Sequence, residues 1–262
     1  MAEDLPARFS QEQGRLPLGV AEGLRRALRD GRRVKDEAET LLVFDRSAEP
    51  GLWWKLYRVP PRRRVFAWLG RSRALREWRA LRCIQAAGLP VVPALACAED
   101  RRGGLLRSSL LVTGDLPGAR DLRRLWLDPA IGRDRRLELA AAAGGAAARL
   151  HGAGFGHFRM QLRNLLLLPD GDIAWLDAPY ACRWPGPSPR RIRSLDLVDL
   201  SGADSLLSVE ETERCLLAYA AEAGWAPPLS TVRGRGRLPQ KLRRIASYLM
   251  AVNLGRRIPP VP

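Results

Sequence analysis

One segment, residues 151–179 with the sequence HGAGFGHFRMQLRNLLLLPDGDIAWLDAP, constrains the fold of this chain more than any other. It directly follows an alanine-rich stretch, residues 135–150, which predicts a helix because alanine has the highest helix propensity. Apolar runs on either side of the turn sequence PDGD predict two short paired strands, and Asp177 follows the second of them. The order predicted is therefore a helix, a polar loop and a hairpin, with Asn164 and Asp177 converging.

Length and composition predict a soluble globular protein. At 262 residues the chain can form one large domain or two compact lobes, and its 46% hydrophobic and 27% charged residues are ordinary values. Four scattered cysteines without a C-x-x-C pair favour neither a zinc site nor disulfides, which fits a reducing cytoplasm. The N-terminus lacks an export signal, and residues 137–150 are too short to span a bilayer. We expect a cytoplasmic protein that is at most peripheral to a membrane.

The net charge of +16 comes almost entirely from arginine, since only three of the 44 basic residues are lysines. One explanation is a GC-rich genome, which favours arginine codons. The other is a polyanionic partner, such as nucleic acid, anionic lipid headgroups or a phosphorylated glycan. Nucleic acid is the least favoured partner, because the chain has no zinc-finger, recognition-helix or RNP-like motif.

The predicted elements change from strand-rich to helix-rich along the chain. Four apolar runs bounded by turn residues predict strands at residues 40–44, 52–59, 91–98 and 105–112. Apolar residues at helical spacing predict helices at residues 20–29, 71–87, 121–126, 135–150, 209–223 and 240–254. A basic stretch at residues 60–64 is expected to be a linker.

This order predicts an α+β fold with two lobes. Residues 1–31 are expected to form an N-terminal arm with a short helix. Residues 32–112 would then form a small strand-rich lobe, and residues 119–262 a helical lobe. The sequence TGDLPG at residues 113–118 interrupts the pattern and is the predicted hinge.

Lys55 and Glu77 are the first pair of candidate site residues. Lys55 lies within the apolar strand LWWKLYRV, in a chain that uses arginine almost everywhere, which suggests a position where a guanidinium does not substitute. Glu77 lies on the next predicted helix, so strand and helix could bring the two together as an ion pair. The alternatives are a lysine that extends from an edge strand to solvent and an intrahelical pair between Glu77 and Arg73.

The loop and hairpin supply the remaining candidates. Asn164 and Asp177 carry oxygen ligands of the kind that magnesium prefers. Alternatively, Asn164 satisfies loop backbone groups and Asp177 is a turn or capping residue before Pro179. Both histidines of the chain lie here: we expect His157 to brace the loop, and His151 to end the preceding helix beside its exposed carbonyl groups.

Taken in order, these motifs resemble those of the lipopolysaccharide core kinase family, the Kdo and heptose kinase group, over residues 41–200. The resemblance rests on Lys55, Glu77, the sequence LHGAGFGH, Asn164, Asp177 and the later RSLDL, in which Asp196 is expected to brace the loop. It implies a two-lobed protein-kinase-like fold that binds ATP and Mg²⁺. ATP would contact Lys55, Glu77, Thr113 and Leu116, and Asn164 and Asp177 would hold the metal.

The family further implies transfer of phosphate to a hydroxyl of an inner-core sugar at the cytoplasmic face of the inner membrane. The partner would be the lipopolysaccharide core or another anionic glycolipid. The stretch RRRVFAWLGRSR, residues 62–73, is either a membrane-surface patch or a solvated segment that leads into a packed helix.

The chain departs from the family pattern at the catalytic loop, where the position of the loop Asp holds Arg159. An arginine cannot accept a proton, and a positioned general base is worth about 10²–10⁴-fold in rate. In addition, no glycine-rich loop precedes residue 40, where the sequence is VKDEAE. Two hypotheses follow: an enzyme that transfers phosphate weakly or atypically, in which Arg159, His157 and Asn164 form the catalytic loop, and an inactive pseudokinase that serves as a binding or regulatory module.

Overall fold

The computed structural model of the protein describes residues 11–14, 19–67, 70–202 and 205–235. The described residues belong to two compact units. The first comprises residues up to Arg82 together with Val92–Pro117, and the second comprises Cys83–Val91 and the residues from Gly118 onward. The helix predicted for residues 240–254 lies outside the described residues.

An antiparallel sheet of six strands forms the framework of the first unit. Its strands are β1 (Gln11–Gly14), β2 (Arg32–Glu37), β3 (Thr40–Asp45), β4 (Leu52–Arg58), β5 (Ala94–Arg102) and β6 (Leu105–Gly114). They are arranged in the order β1-β5-β6-β4-β3-β2. The four predicted strands are confirmed as β3 to β6, although β6 runs two residues further than predicted and includes Thr113.

Strands β1 and β2 correct the sequence prediction, which assigned no strand before residue 40. All six side chains of β2 are exposed, so the strand lacks the alternation of apolar and polar residues that identifies a half-buried strand. It pairs with β3 at the edge of the sheet, where charged side chains are the usual protection against pairing with another chain. Ala38 and Glu39 form the turn between the two strands, and neither is a glycine.

Helix α1 (Val20–Asp30) covers one face of the sheet and confirms the predicted helix. Its buried residues Val20, Leu24 and Ala27 pack in one cluster with Trp54 of β4 and other sheet residues. Gly23 lies against the Trp54 ring, where an added Cβ would meet Cη2 at 2.3 Å. Leu52, Trp54 and Leu56 of β4 all face this core, so Lys55 points to the opposite face.

Helix α2 (Pro61–Ala67) replaces the linker predicted for residues 60–64. Its first residue is a proline, which suits the first helical position because its fixed φ is helical and its missing N–H has no partner there. The following arginines are good helix formers. Helix α3 (Arg73–Ala86) confirms the next predicted helix and belongs to the first unit up to Arg82.

Helices dominate the second unit. They are α4 (Leu122–Leu127), α5 (Arg133–Gly152), α6 (Arg190–Ser201), α7 (Val209–Ala223) and α8 (Leu229–Arg235). The predicted helices α4, α5 and α7 are confirmed, and α7 starts with a capping box formed by Ser208 and Glu211. The sequence did not predict α6 or α8. The first follows a proline-rich loop, and the second contains a glycine and β-branched residues of low helix propensity.

Short strands connect the helices of the second unit. They are β7 (Arg120–Asp121), β8 (Phe155–Gly156), β9 (Leu165–Leu167), β10 (Ile173–Trp175) and β11 (Cys182–Arg183). Strands β9 and β10 form the predicted hairpin around PDGD, with Leu165 opposite Trp175. Strand β8 pairs with β11, which places Phe155 opposite Arg183.

All four cysteines are free and buried. Burial raises the pKa of Cys97, Cys182 and Cys215 to about 12. These thiols are therefore protonated at neutral pH and do not form the reactive thiolate. They act as small apolar residues of the core.

Candidate active site

The ion pair between Lys55 and Glu77 is present in the first unit. The Lys55 Nζ lies 3.1 Å from Oε1 of Glu77, and the Tyr57 hydroxyl donates a hydrogen bond of 2.6 Å to Oε2. Glu77 is 2% exposed. Because a buried carboxylate is costly without partners, these contacts hold the Glu77 side chain in one position and orient the lysine.

Arg73, the alternative partner of Glu77, lies over the Tyr57 ring with its Cζ 4.5 Å from the ring centroid. Tyr57 is a further residue of the candidate site and was not predicted from the sequence. It lies two residues after Lys55 on the same face of β4, so the alternation of the strand could have identified it.

The residues predicted as a hinge begin within the sheet. Thr113 is part of β6 and pairs with Trp53 of β4. Asp115 follows the strand, and its Oδ1 accepts a hydrogen bond of 2.9 Å from the Trp53 indole N–H. The Asp115 backbone N–H donates to the Gly51 carbonyl at 2.7 Å. Thr113 and Leu116 are both partly exposed, and their contact with ATP remains a prediction.

Two glycines before the catalytic loop permit close approaches of the backbone. Gly154 has φ +87, and a Cβ there would lie 2.5 Å from the Trp184 carbonyl oxygen. A Cβ on Gly156 would lie 2.5 Å from the Ile192 side chain of α6. The glycines of GAGFGH therefore allow β8 to run directly against the segment that leads into α6.

Asp196 anchors the catalytic loop from α6. Its Oδ2 and Oδ1 accept hydrogen bonds from the backbone N–H groups of His157 at 2.6 Å and Phe158 at 2.7 Å. The side chain is fully buried. Two short hydrogen bonds from backbone donors to one carboxyl group fix the loop backbone at the point where its chemistry would begin.

His151 lies in the last turn of α5 as predicted, but its ring contacts side chains instead of the exposed carbonyl groups at the end of the helix. Its Nε2 lies 3.1 Å from Oδ2 of Asp196, and its Nδ1 lies 2.9 Å from the Tyr219 hydroxyl of α7. The ring is fully buried, since residue 151 lies on the inward face of the helix. Tyr219 was missed because a tyrosine on a helix face does not show whether it has a polar partner.

His157 is buried beside the Trp175 ring, with the two ring centroids 5.3 Å apart. Burial lowers its pKa below the usual value of 6.5, against the opposing effects of Asp196, Asp177 and the Leu176 backbone. The imidazole is therefore neutral at pH 7. A buried ring that packs on an indole supports the loop and is poorly placed to accept a proton from a substrate.

Arg159 lies over an aromatic ring on the segment after the hairpin. Its Cζ is 5.0 Å from the Tyr180 ring centroid, and the side chain is partly exposed. The guanidinium carries a permanent charge and has five N–H donors and no acceptor. It can therefore bind an anion, but it cannot deprotonate a hydroxyl group. Tyr180 was missed because nothing in its sequence context indicates this contact.

Asn164 and Asp177 lie at the same end of the hairpin. The Asn164 Nδ2 donates to the Arg159 carbonyl at 2.7 Å, and the Leu176 N–H donates to the Asn164 carbonyl at 3.1 Å. The bond to Arg159 uses the amide nitrogen of Asn164, so its Oδ1 remains available as a ligand. Magnesium is commonly held by one or two protein oxygens together with substrate phosphates, and this donor set fits it.

Backbone strain in the described residues is concentrated at this loop and hairpin. Phe158 with φ 60 and Asp177 with φ 54 are the two non-glycine residues with left-handed φ in the part of the chain that the structure describes. Such conformations are uncommon for residues other than glycine and are enriched at functional sites. Phe158 directly precedes Arg159 and Asp177 follows the hairpin, which supports the interpretation of this region as a site.

Other kinds of site receive no support from the described residues. Within them there is no group of three or more His, Cys, Asp and Glu side chains that could hold a metal ion. No described helix is long and apolar enough to cross a membrane.

Comparison with known proteins agrees with this geometry. Residues 51–178, just under half of the chain, match the model of the lipopolysaccharide kinase (Kdo/WaaP) family. No curated protein matches the chain. Among solved structures, the chain is similar to "WaaP in complex with acyl carrier protein", with 20% identity and a TM-score of 0.57 over 93% of this chain and 99% of that one.

The structural similarity confirms the predicted kinase-like α+β fold, and the family match confirms the resemblance found in the sequence. The matched segment includes the Lys55–Glu77 pair, the loop that contains Arg159, and Asp177. Residues 51–178 of this chain are therefore similar to the lipopolysaccharide kinase (Kdo/WaaP) family.

Proposed function

We propose that the protein binds Mg-ATP and acts on a hydroxyl of the lipopolysaccharide inner core, with phosphate transfer that is slow because Arg159 replaces the general base. The observation that carries the proposal is the retained Lys55–Glu77 pair. A buried carboxylate that fixes a strand lysine is what alignment of nucleotide phosphates requires. The oxygen donors of Asn164 and Asp177 support the same conclusion.

Each residue has a distinct role in this proposal. Lys55 contacts the nucleotide phosphates and Glu77 positions it. Thr113 and Leu116 contact the rest of the nucleotide. Asn164 and Asp177 would hold magnesium, which neutralises charge on the phosphates. Asp196 positions the loop through the backbone of His157 and Phe158.

Arg159 determines how active such an enzyme can be. A general base typically contributes about 10²–10⁴-fold to the rate. The transition state of phosphoryl transfer is loose, so removing the base slows the reaction but does not by itself abolish it. The turn between β2 and β3 has no glycine and would hold phosphates less closely than a glycine-rich loop.

Arg159 also favours a second candidate function, that of a pseudokinase which binds its ligand without transferring phosphate. The loop has no residue placed to act as a base, since residue 159 is not an acid and His157 is buried against Trp175. In this case the protein would be a binding or regulatory module in the assembly of lipopolysaccharide. Either function would act at the cytoplasmic face of the inner membrane, where exposed arginines such as Arg62 could contact anionic headgroups.

A thermal melt with and without ATP and Mg²⁺ tests nucleotide binding. A ligand at 100 times its Kd stabilises the folded protein by roughly 2.7 kcal/mol. We expect this shift in the wild type and in Asp170→Asn, a matched control in the exposed turn of the same hairpin, but not in Asp177→Asn. No shift in the wild type at millimolar ATP would contradict nucleotide binding.

Phosphate transfer is then tested by restoring the acid. If Arg159 limits an otherwise competent site, Arg159→Asp should raise the rate of phosphate transfer at saturating core glycan by about 10²-fold or more. An Arg159→Asp variant that binds Mg-ATP but gains no activity would support the pseudokinase.

A further inference from the structure

Three arginines of the second unit are held by aromatic rings. The Cζ of Arg159 lies 5.0 Å from the Tyr180 ring centroid. That of Arg183 lies 5.3 Å from the Phe155 ring, and that of Arg190 lies 5.4 Å from the Trp225 ring. A cation–π contact orients the guanidinium through its face and leaves the N–H donors at its edge available for a ligand.

Acidic residues do not neutralise these arginines. Among the described residues, none of the three forms an ion pair. Other arginines of both units do meet carboxylates, as in the Arg26–Asp45 pair of the first unit and the Arg135–Glu138 pair of the second. Residues 178–195 include four arginines and no acid, and Asp196 is fully buried and engaged with the loop backbone.

The three arginines lie on the segments that form, lead into or support the candidate catalytic loop. Arg183 pairs with Phe155, the residue from which the chain enters the loop, and Arg159 is part of the loop itself. Arg190 is the first residue of α6, the helix that carries Asp196. Positive charge is therefore concentrated on this loop and on the segments associated with it, where a sugar kinase of ordinary chemistry would present a carboxylate to a neutral hydroxyl.

We propose that Arg159, Arg183 and Arg190, here called the arginine surface, bind the phosphate group of a phosphorylated sugar. A phosphomonoester carries a charge of about −1.5 to −2 at pH 7 and three acceptor oxygens, which match the forked donors of a guanidinium. Only the identification of the phosphorylated ligand as a sugar rests on the proposed function. The anion site itself requires neither nucleotide nor magnesium.

Calorimetric titration of the full-length protein tests the inference, with glucose 6-phosphate as the probe and no ATP or Mg²⁺ present. We expect glucose 6-phosphate to bind and unphosphorylated glucose not to bind. Loss of one charge-assisted hydrogen bond should weaken binding about tenfold in Arg159→Gln, and similarly in Arg183→Gln. Arg214→Gln is the matched control, because it removes the same charge from an exposed position on α7 and should leave the affinity unchanged.

Three results would overturn the proposal: no binding of glucose 6-phosphate, equal losses in Arg159→Gln and Arg214→Gln, or binding only to vesicles of phosphatidylglycerol. The last would assign the arginines to a lipid headgroup. If melting shows that Arg159→Gln is unfolded, Arg183→Gln decides alone, because its side chain is exposed.

Asp177→Asn separates this inference from the proposed function. The variant should lose the stabilisation by Mg-ATP and retain the affinity for glucose 6-phosphate. If the wild type binds glucose 6-phosphate but not Mg-ATP, the arginine surface stands and nucleotide binding fails. The reverse result refutes the arginine surface alone.

Discussion

Two adjacent glycines in the middle of α5 should respond in opposite ways to the same substitution. Gly144 faces α7, and a Cβ added there would lie 2.1 Å from the carbonyl oxygen of Cys215. Gly145 faces outward, where the nearest atoms are a Glu222 carboxylate oxygen at 3.2 Å and an Arg149 nitrogen at 3.6 Å. Both belong to side chains that can move, whereas the Cys215 carbonyl belongs to the backbone of a packed helix.

The magnitudes follow from helix propensity and from packing. Alanine is favoured over glycine in a helix interior by about 1 kcal/mol, and this gain is common to both variants. Gly145→Ala disturbs only the partly exposed Arg149–Glu222 pair, which at 3.7 Å contributes little. Gly144→Ala must displace α7, and overpacking of this kind costs about 1–3 kcal/mol or more. We expect Gly145→Ala to be neutral or stabilising and Gly144→Ala to be less stable than it by about 2 kcal/mol or more.

Thermal melts followed by far-UV circular dichroism measure this difference. In a chain of this size, 2 kcal/mol corresponds to roughly 4–8 °C in Tm. The wild type should melt between the two variants or together with Gly145→Ala. If Gly144→Ala melted at the same temperature as Gly145→Ala or above it, the close approach of α5 and α7 would be wrong.

Two further predictions concern the residues that support the loop. Asp196→Asn should lower the free energy of unfolding by roughly 3 kcal/mol or more, because an amide cannot accept both backbone N–H bonds and leaves one donor buried without a partner. Urea denaturation measures this change, with Asp134→Asn at an exposed position as the control. Equal stability of the two variants would contradict the prediction. The lowered pKa of His157 means that below about pH 6.5 the unfolded chain binds a proton that the folded chain does not. The free energy of unfolding should therefore fall by up to about 1.4 kcal/mol per pH unit from pH 6.5 to 5, and His157→Gln should reduce this slope, whereas parallel curves would contradict the assignment.

The strands and helices with strong local patterns were predictable. Strands β3 and β4 have apolar runs separated by turn residues, and α7 combines a capping box with helical spacing. Their boundaries were found within a few residues. Strand β2 and helix α2 have no apolar face that a pattern could reveal, because one is exposed throughout and the other begins with a proline and three arginines.

The contacts of the candidate site were predictable only in part. The order of motifs predicted that Lys55 meets Glu77, since each lies on a recognisable element and the pair has opposite charges. The contacts of His151 with Asp196 and Tyr219 join α5, α6 and α7. No local pattern encodes them, because they depend on how three helices pack around one buried carboxylate.

The sequence by itself determined the resemblance to the family and the chemical character of residue 159, because motif order and residue type are properties of the chain. It also fixed the excess of arginine. Only the tertiary structure decided which arginines are neutralised by carboxylates and which are held by aromatic rings. This distinction requires distances between residues that are far apart in sequence, as for Arg190 and Trp225. The orientation of Arg159 toward Tyr180 was likewise decided by the fold, because it depends on where the segment after the hairpin returns to the loop.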